Sequence, residues 1–334
     1  MHLLRRVNLI VNNYMPKNHA LNTKPRAMDY RKEILKLKLE KNAIILAHYY
    51  QTADIQDIAD YVGDSLGLAQ KAASTNADMI VFAGVHFMAE TAKIVNPNKI
   101  VVLPDLNAGC SLADSCEVED LLALKNKHPN HKIVAYINCS AEVKALSDII
   151  CTSSNAVKVV ESIPTSEEII FVPDANLGAY VSKKAQREML LWEGACEVHV
   201  EFSKEKMEAL QEIYPEASII AHPESKSHIL KMAEFIGSTA ALLNYVQTNK
   251  ANTFIVATEV GILHKMKGQN PEKKFIPAPI VENNTCACSE CPYMKMNTLQ
   301  KIYECIKNES PQVNVPEELR VKAEKSLSKM LKLS

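Results

Sequence analysis

Three stretches of the chain repeat one order of apolar and polar positions: IILAHYYQTADIQDIADYVGDSLGLAQ from Ile44, KIVAYINCSAEVKALSDIICTSSNAVK from Lys132 and SIIAHPESKSHILKMAEFIGSTAALLN from Ser218. They align without a gap at offsets of 88 and then 86 residues. Each begins with an apolar run that reaches His48, Tyr136 or His222, crosses a polar stretch and resumes with apolar residues at helical spacing. Ile55, Ile58 and Val62 stand in register with Val143, Leu146 and Ile150 and with Ile229, Met232 and Ile236. This i, i+3, i+7 stripe predicts an amphipathic helix in each repeat. Ser65, Ser153 and Thr239 each lie 17 residues beyond His48, Tyr136 and His222, where they are expected to N-cap the next helix.

A second apolar run follows in each repeat (DMIVFAG, EEIIFVP, NTFIVAT), then a third (KIVVLP, EMLLWEG, KFIPAP). Short apolar runs between turn signals suit parallel strands buried on both faces, and their alternation with helical stretches predicts β–α–β–α–β units. The expected fold class is α/β: three repeated three-layer αβα sandwich units with parallel sheets, packed around a pseudo-threefold axis because each is small for an independent domain. Expected boundaries are 28–112, 113–197 and 198–292, followed by a C-terminal helical segment over 293–334. Residues 1–27 contain no Asp or Glu but carry Arg5, Arg6, Lys17, Lys24 and Arg26; they are expected to form a disordered extension.

In parallel sheets the ligand crevice lies beyond the carboxyl ends of the strands. The candidates are therefore His48, Tyr49 and Tyr50, then Tyr136, Ile137 and Asn138, then His222, Pro223 and Glu224. A single His or Tyr at a strand end is ordinarily a hydrogen-bonded structural residue. Three equivalent polar positions meeting in one crevice would instead be costly to desolvate without a ligand. The hydroxyls at 65, 153 and 239 carry the same two readings, helix cap or crevice lining beside a helix N-terminus.

Composition narrows the function. The 334 residues carry 38 Lys+Arg against 39 Asp+Glu, and no apolar stretch is long enough to cross a bilayer. A general nucleic-acid binder and a membrane-spanning chain are therefore not expected. Nine cysteines are an odd number for a disulfide framework, and 47% hydrophobic residues build a core without covalent staples. Free or metal-bound thiols in a cytoplasmic, reducing compartment are expected.

Cys110 and Cys196 each follow the third apolar run of their repeat, and Cys286, Cys288 and Cys291 occupy that place in the third. One thiol per repeat could meet at the centre and hold an iron–sulfur cluster with one iron open, as a Lewis-acid catalyst needs; electron carriers usually close all four positions. Taken alone, each would be a small buried thiol. Cys116, Cys139, Cys151 and Cys305 lack such correspondence and are expected to be ordinary packing or surface thiols.

The runs AHYYQTADIQDIADYVGDSLGLAQ, FAGVHFMAETAKIV, LPDLNAGCSLAD, YINCSAEVKA, CTSSNAVKVV, VPDANLGAY, AHPE, GSTAAL, FIVATEVGILHKM and CPYMKMNTL resemble the quinolinate synthase family over roughly residues 30–305. The resemblance implies three αβα domains in pseudo-threefold arrangement around a [4Fe-4S] cluster, one per chain. It implies condensation of iminoaspartate with dihydroxyacetone phosphate to quinolinate, with loss of phosphate and two waters, and a functional link to an L-aspartate oxidase or dehydrogenase that makes iminoaspartate. Carried over by position, it makes Cys110, Cys196 and Cys291 the cluster ligands. His48, Ser65, Tyr136, Asn138, Ser153, His222, Glu224 and Thr239 become the groups around the iminoaspartate-derived part, and Tyr50 a proton-transfer residue.

This chain spaces its last three cysteines as CxCxxC, where relatives often show CxxCxxC. The transferred site contains no Lys or Arg, so two anionic substrates would be held by hydroxyls, helix N-terminal amides and neutral or protonated His48 and His222. Glu224 and Tyr50 are the expected acid–base groups. The competing reading is a noncatalytic iron–sulfur redox or sensor protein, which would use the thiols without needing the matched polar strand ends.

Overall fold

The computed structural model describes residues 28–281 and 289–334; the expected extension over 1–27, and Cys286 and Cys288, lie outside these. Twelve strands form three four-stranded, all-parallel sheets. The first holds β1 (Ala43–His48), β2 (Tyr61–Gly63), β3 (Met79–Ala83) and β4 (Ile100–Val102). β5 (Lys132–Tyr136), β6 (Ile149–Cys151), β7 (Ile169–Val172) and β8 (Leu190–Leu191) make the second. The third comprises β9 (Ser218–Ala221), β10 (Phe235–Ile236), β11 (Thr253–Ala257) and β12 (Lys274–Pro277). All three share one strand order, in which the first and third strands of the repeat are central and the second and fourth are edges.

The alternation of side chains along a strand explains how each sheet is buried twice. In β9 and β11, Ile220, Phe254 and Val256 enter one apolar cluster, while Ile219, Ala221, Ile255 and Ala257 enter another. The first sheet divides in the same way, Leu46, Ile80 and Phe82 on one face and Ile45, Ala47, Val81 and Ala83 on the other. Helices cover both faces, which is the three-layer αβα expectation met.

One expectation is corrected. The stripe that predicted a single amphipathic helix is divided between a short helix and an edge strand: Ile55 and Ile58 lie in helix Ala53–Ile58 but Val62 lies in β2. Val143 and Leu146 are helical and Ile150 is in β6, while Ile229 is helical and Ile236 is in β10. Helices of four to six residues followed by strands of two or three keep an apolar residue at the i+7 position, fully buried at Ile150 and partly buried at Val62 and Ile236, by coincidence of geometry. Periodicity alone therefore merged the two elements.

Two C-terminal helices finish the outer layers. Helix Leu299–Asn308 places Ile302, Cys305 and Ile306 in the cluster with Ile45 and Val81 of the first sheet. Helix Glu317–Leu333 sends Ala323, Leu327 and Met330 into the cluster with Val143 and Ile150 of the second. Their i, i+3, i+4 and i, i+4, i+7 spacings put one face of each helix on a sheet unit. Of the thiols expected to be ordinary, Cys116, Cys139, Cys151 and Cys305 are all buried in these apolar clusters.

Candidate functional site

With the first and third strands central, the chain leaves them in opposite directions, and the crevice at that switch point opens beyond their carboxyl ends. The ends of β1 and β5, and the residues just after β9, deliver His48, Tyr136, His222 and Glu224 to one cavity of about 60 Å³. All twelve residues singled out by the resemblance line it: His48, Tyr50, Ser65, Cys110, Tyr136, Asn138, Ser153, Cys196, His222, Glu224, Thr239 and Cys291. The other strand-end candidates do not. Tyr49 packs into the third unit's apolar cluster, Ile137 is buried in the main core, and Pro223 is not among the lining residues.

The hydroxyls at 65, 153 and 239 are not N-caps. Ser65 and Thr239 are the first helical residues, and the caps are their predecessors: Asp64 accepts from Gly67 N at 2.9 Å, and Ser238 accepts from Ala241 N at 3.3 Å. Asn155 opens the corresponding helix of the second unit, two residues beyond Ser153. Since Asp64 and Ser238 satisfy their helix ends, Ser65 and Thr239 are free to line the cavity, and Ser153 lies outside its helix, whose Asn155 makes no side-chain cap bond. Those caps also tie the units together. Ser154 Oγ lies 2.7 Å from both Asp64 Oδ2 and Ser238 Oγ, so it donates to the carboxylate and accepts from the other hydroxyl.

His199, which the sequence reading did not select, is central to the polar network. Its Nδ1 lies 2.8 Å from Glu224 Oε2 and 3.2 Å from Cys196 Sγ, and its Nε2 is 3.0 Å from Thr258 Oγ1. Thr258 Oγ1 in turn is 2.7 Å from the Tyr50 hydroxyl. With the ring neutral and Nδ1–H donating to Glu224, Nε2 accepts from Thr258, whose oxygen accepts from Tyr50. A continuous hydrogen-bonded path thus runs from Tyr50 to Glu224. His222 flanks it, 3.3 Å from Glu224 Oε2 through Nδ1 and 3.2 Å from Ser153 Oγ through Nε2. Two signals could have found these residues: His199 completes a Cys-x-x-His spacing with Cys196, and Thr258 is the first residue after β11, where the strand-end argument applies equally.

Burial sets the charge states. His48 is 3% exposed, and burial, aided by His222, pushes it down to about 3. Its Nδ1 accepts from Tyr50 N at 3.1 Å, so the neutral ring carries its proton on Nε2. Burial lowers His222 as well, against the pull of the neighbouring Glu224 carboxylate. Burial alone would raise Glu224, but His199 and His222 outweigh it and hold the carboxyl below the usual range. Tyr50 is pushed well above 10 by burial and then by the charge of Glu224. These shifts keep Glu224 ionised and Tyr50 protonated, so the first can only accept a proton and the second can only donate one, although each is made weaker in that role.

The titration of His48 predicts an acid-labile fold. Below its ordinary pKa of 6.5 and above about 3, the unfolded chain binds a proton that the folded chain does not, so stability falls as pH falls through that window, by about 1.4 kcal/mol per pH unit. His48→Gln is expected to flatten this slope when anaerobic acid unfolding is followed by circular dichroism. An unchanged slope would clear His48 as the cause.

Among the described residues no Lys or Arg lines the cavity, as expected. Asn138 Oδ1 and Glu224 Oε1 are buried there without a hydrogen-bond partner, which is costly unless a ligand supplies one.

Cys110, Cys196 and Cys291 are half-buried on the cavity wall. Burial pushes Cys110 up to about 12 and Cys291 up to about 11, with Cys291 adding to the shift of Cys110, and it raises Cys196 well above 9.0, with Cys110 adding to that shift. Among the described residues no Lys or Arg in the wall offsets three thiolates, so a bound metal group would have to supply the positive charge. Among the described residues the one His/Cys/carboxylate group tight enough for a single ion is Cys196, His199 and Glu224, whose ligand atoms lie within 4.8 Å of one another. Cys110 and Cys291 stand outside that group. No helix among the described residues is long and apolar enough to cross a membrane.

Comparison with known proteins gives the family. The family described as quinolinate synthetase A protein matches residues 32–332. The chain is 58% identical over 310 residues to the quinolinate synthase of Thermosynechococcus vestitus, covering 93% of this chain and 97% of that one. It is 60% identical over 301 residues to that of Microcystis aeruginosa, covering 90% and 94%, and 59% identical over 306 residues to that of Trichodesmium erythraeum, covering 92% and 94%. Matching nearly end to end at this identity, the chain belongs to the quinolinate synthase family.

Proposed function

We propose that this enzyme condenses iminoaspartate with dihydroxyacetone phosphate to quinolinate, releasing phosphate and two waters, and that Cys110, Cys196 and Cys291 hold one [4Fe-4S] cluster per chain. The observation that carries the reading is the single cavity in which three thiols, one following the fourth strand of each repeat, face the polar strand ends of all three units. When bound, the cluster supplies an iron without a protein ligand, a Lewis acid for dehydration.

The chain's own residues account for binding and proton movement. The hydroxyls of Ser65, Ser153, Thr239 and Tyr136, the Nε2–H of His48, the His222 ring and the Asn138 amide are neutral groups for the carboxylates of the iminoaspartate-derived part. Strong fixed positive charge would also retain quinolinate, a dicarboxylate, which neutral donors release more readily. Glu224 takes protons and Tyr50 gives them, while Thr258 and His199 connect the two so that each can be reset. A source of iminoaspartate, an L-aspartate oxidase or dehydrogenase, is the functional partner in this reading. The compartment is the reducing cytoplasm, and the domains are 28–112, 113–197 and 198–292 with helical segment 293–334.

A noncatalytic redox or sensor protein would need only the thiols, and offers no use for the unpartnered oxygens of Asn138 and Glu224. Anaerobically purified protein is expected to be brown and to form quinolinate from the two substrates. Colour without turnover would favour the redox reading and overturn this one.

A further inference from the structure

Glu259 is wholly buried on the cavity wall and stands immediately after Thr258, yet it belongs to neither the proton path nor the thiol set. Its two oxygens are fully used. Oε1 accepts from Lys295 Nζ at 2.8 Å and from Cys291 N at 3.2 Å, and Oε2 accepts from Gly261 N at 2.7 Å. Lys295 Nζ also donates to Tyr50 O at 2.6 Å. One ion pair, wholly buried at Glu259 and partly exposed at Lys295, thus reaches the backbone of Cys291 on one side and the backbone of Tyr50 on the other.

The surroundings have no slack. A Cβ on Gly261 would sit 2.8 Å from Tyr50 Cα and 2.8 Å from Glu259 Oε2. Gln56 Nε2 bonds the carbonyls of Tyr49, Gln51 and Gly261, each at 2.9 Å. Ser289 Oγ donates to Thr258 O at 3.1 Å, and Val260 N to Ser289 O at 3.1 Å. Three segments far apart in sequence, the turn after β1, the end of β11 and the stretch leading into Cys291, are joined at the Glu259 carboxylate.

We propose that Glu259 and Lys295 are positioning residues, a buried latch that sets the Cys291 thiol and the Tyr50 hydroxyl relative to each other. This rests on the reading of Cys291 as a cluster ligand and Tyr50 as a proton donor. The latch is asymmetric. Glu259 touches Cys291 directly and Tyr50 only through Lys295, whereas the Lys295 ammonium touches Tyr50 and reaches Cys291 only through Glu259; the direct bond from Lys295 N to Cys291 O at 3.3 Å is backbone and independent of the side chain. Removing a charged partner from a buried pair leaves the other uncompensated, while neutralising both does not.

The test uses anaerobic holoenzyme of the wild type, Glu259→Gln, Lys295→Met and the double variant. It measures iron loss to an external chelator, thermal midpoint, KM, and kcat per intact cluster. Glu259→Gln is expected to lose iron about tenfold faster and to lower kcat per cluster about tenfold, with KM within about twofold, since charged hydrogen bonds are the contacts removed. Lys295→Met is expected to lower kcat similarly while keeping iron loss within about threefold of wild type, because Cys291 N retains its carboxylate acceptor. The double variant is expected to regain thermal midpoint but not kcat, as the Tyr50 carbonyl still lacks its donor. Iron loss and kcat that track thermal midpoint through all three variants would reduce the pair to a structural role and overturn the latch. So would wild-type values for both in Glu259→Gln. A wild type that forms no quinolinate would instead overturn the functional reading on which the latch rests.

Discussion

Cys110→Ala, Cys196→Ala and Cys291→Ala, each purified anaerobically, are expected to be colourless or to bleach rapidly, with iron and sulfide near zero and no quinolinate formation. The three thiols share a cavity wall without Lys or Arg, and burial drives Cys110 and Cys291 to about 12 and about 11. They are therefore thiolates only while bound to metal, and metal binding and deprotonation are one coupled event. In the proposed cluster site, loss of one thiolate of three would remove a ligand that no other Cys among the described residues lines the wall to replace. The Cys286→Ala, Cys288→Ala double variant is expected to retain iron, sulfide and activity under reducing conditions. Iron and sulfide analysis of the four proteins decides the matter: a bleached double variant beside an intact Cys291→Ala protein would overturn the assignment of Cys291.

Glu224→Gln is expected to preserve fold and cluster absorbance while lowering kcat by about 10²- to 10⁴-fold. The amide oxygen can take the place of Oε2, which accepts from His199 at 2.8 Å and lies 3.3 Å from His222. The amide nitrogen would then occupy the site of Oε1, which has no partner to lose. What disappears is the ability to take up a proton and return it toward Tyr50 through His199 and Thr258. Turnover near wild type would remove Glu224 from the mechanism, and loss of cluster absorbance in proportion to activity would make its role structural. His199→Ala cuts the same path, which would explain a similar defect in kcat without any change of carboxylate.

Much of this arrangement was legible from residue order. The apolar runs before His48, Tyr136 and His222 read as strands because a strand buried on both faces needs several consecutive apolar residues, and the strand-end rule then pointed at the cavity wall. Repetition at near-constant offset identified three equivalent units. It also picked out one thiol position in each, without distinguishing Cys291 from Cys286 and Cys288.

What only the tertiary structure decided were relations between residues distant in sequence. Edge strands of two or three residues were absorbed into a helical stripe, since their pairing energy comes from neighbours rather than from local pattern. Whether Ser65, Ser153 and Thr239 cap helices or face the cavity turned on Asp64 and Ser238, which cap in their place and meet through Ser154 across three units. His199 joins Glu224 and Thr258, and Glu259 joins Cys291 and, through Lys295, Tyr50. Periodicity is a property of the backbone and the burial of one face, so it is written locally. A hydrogen bond between side chains some 200 residues apart exists only once three units have packed, and no local pattern records it.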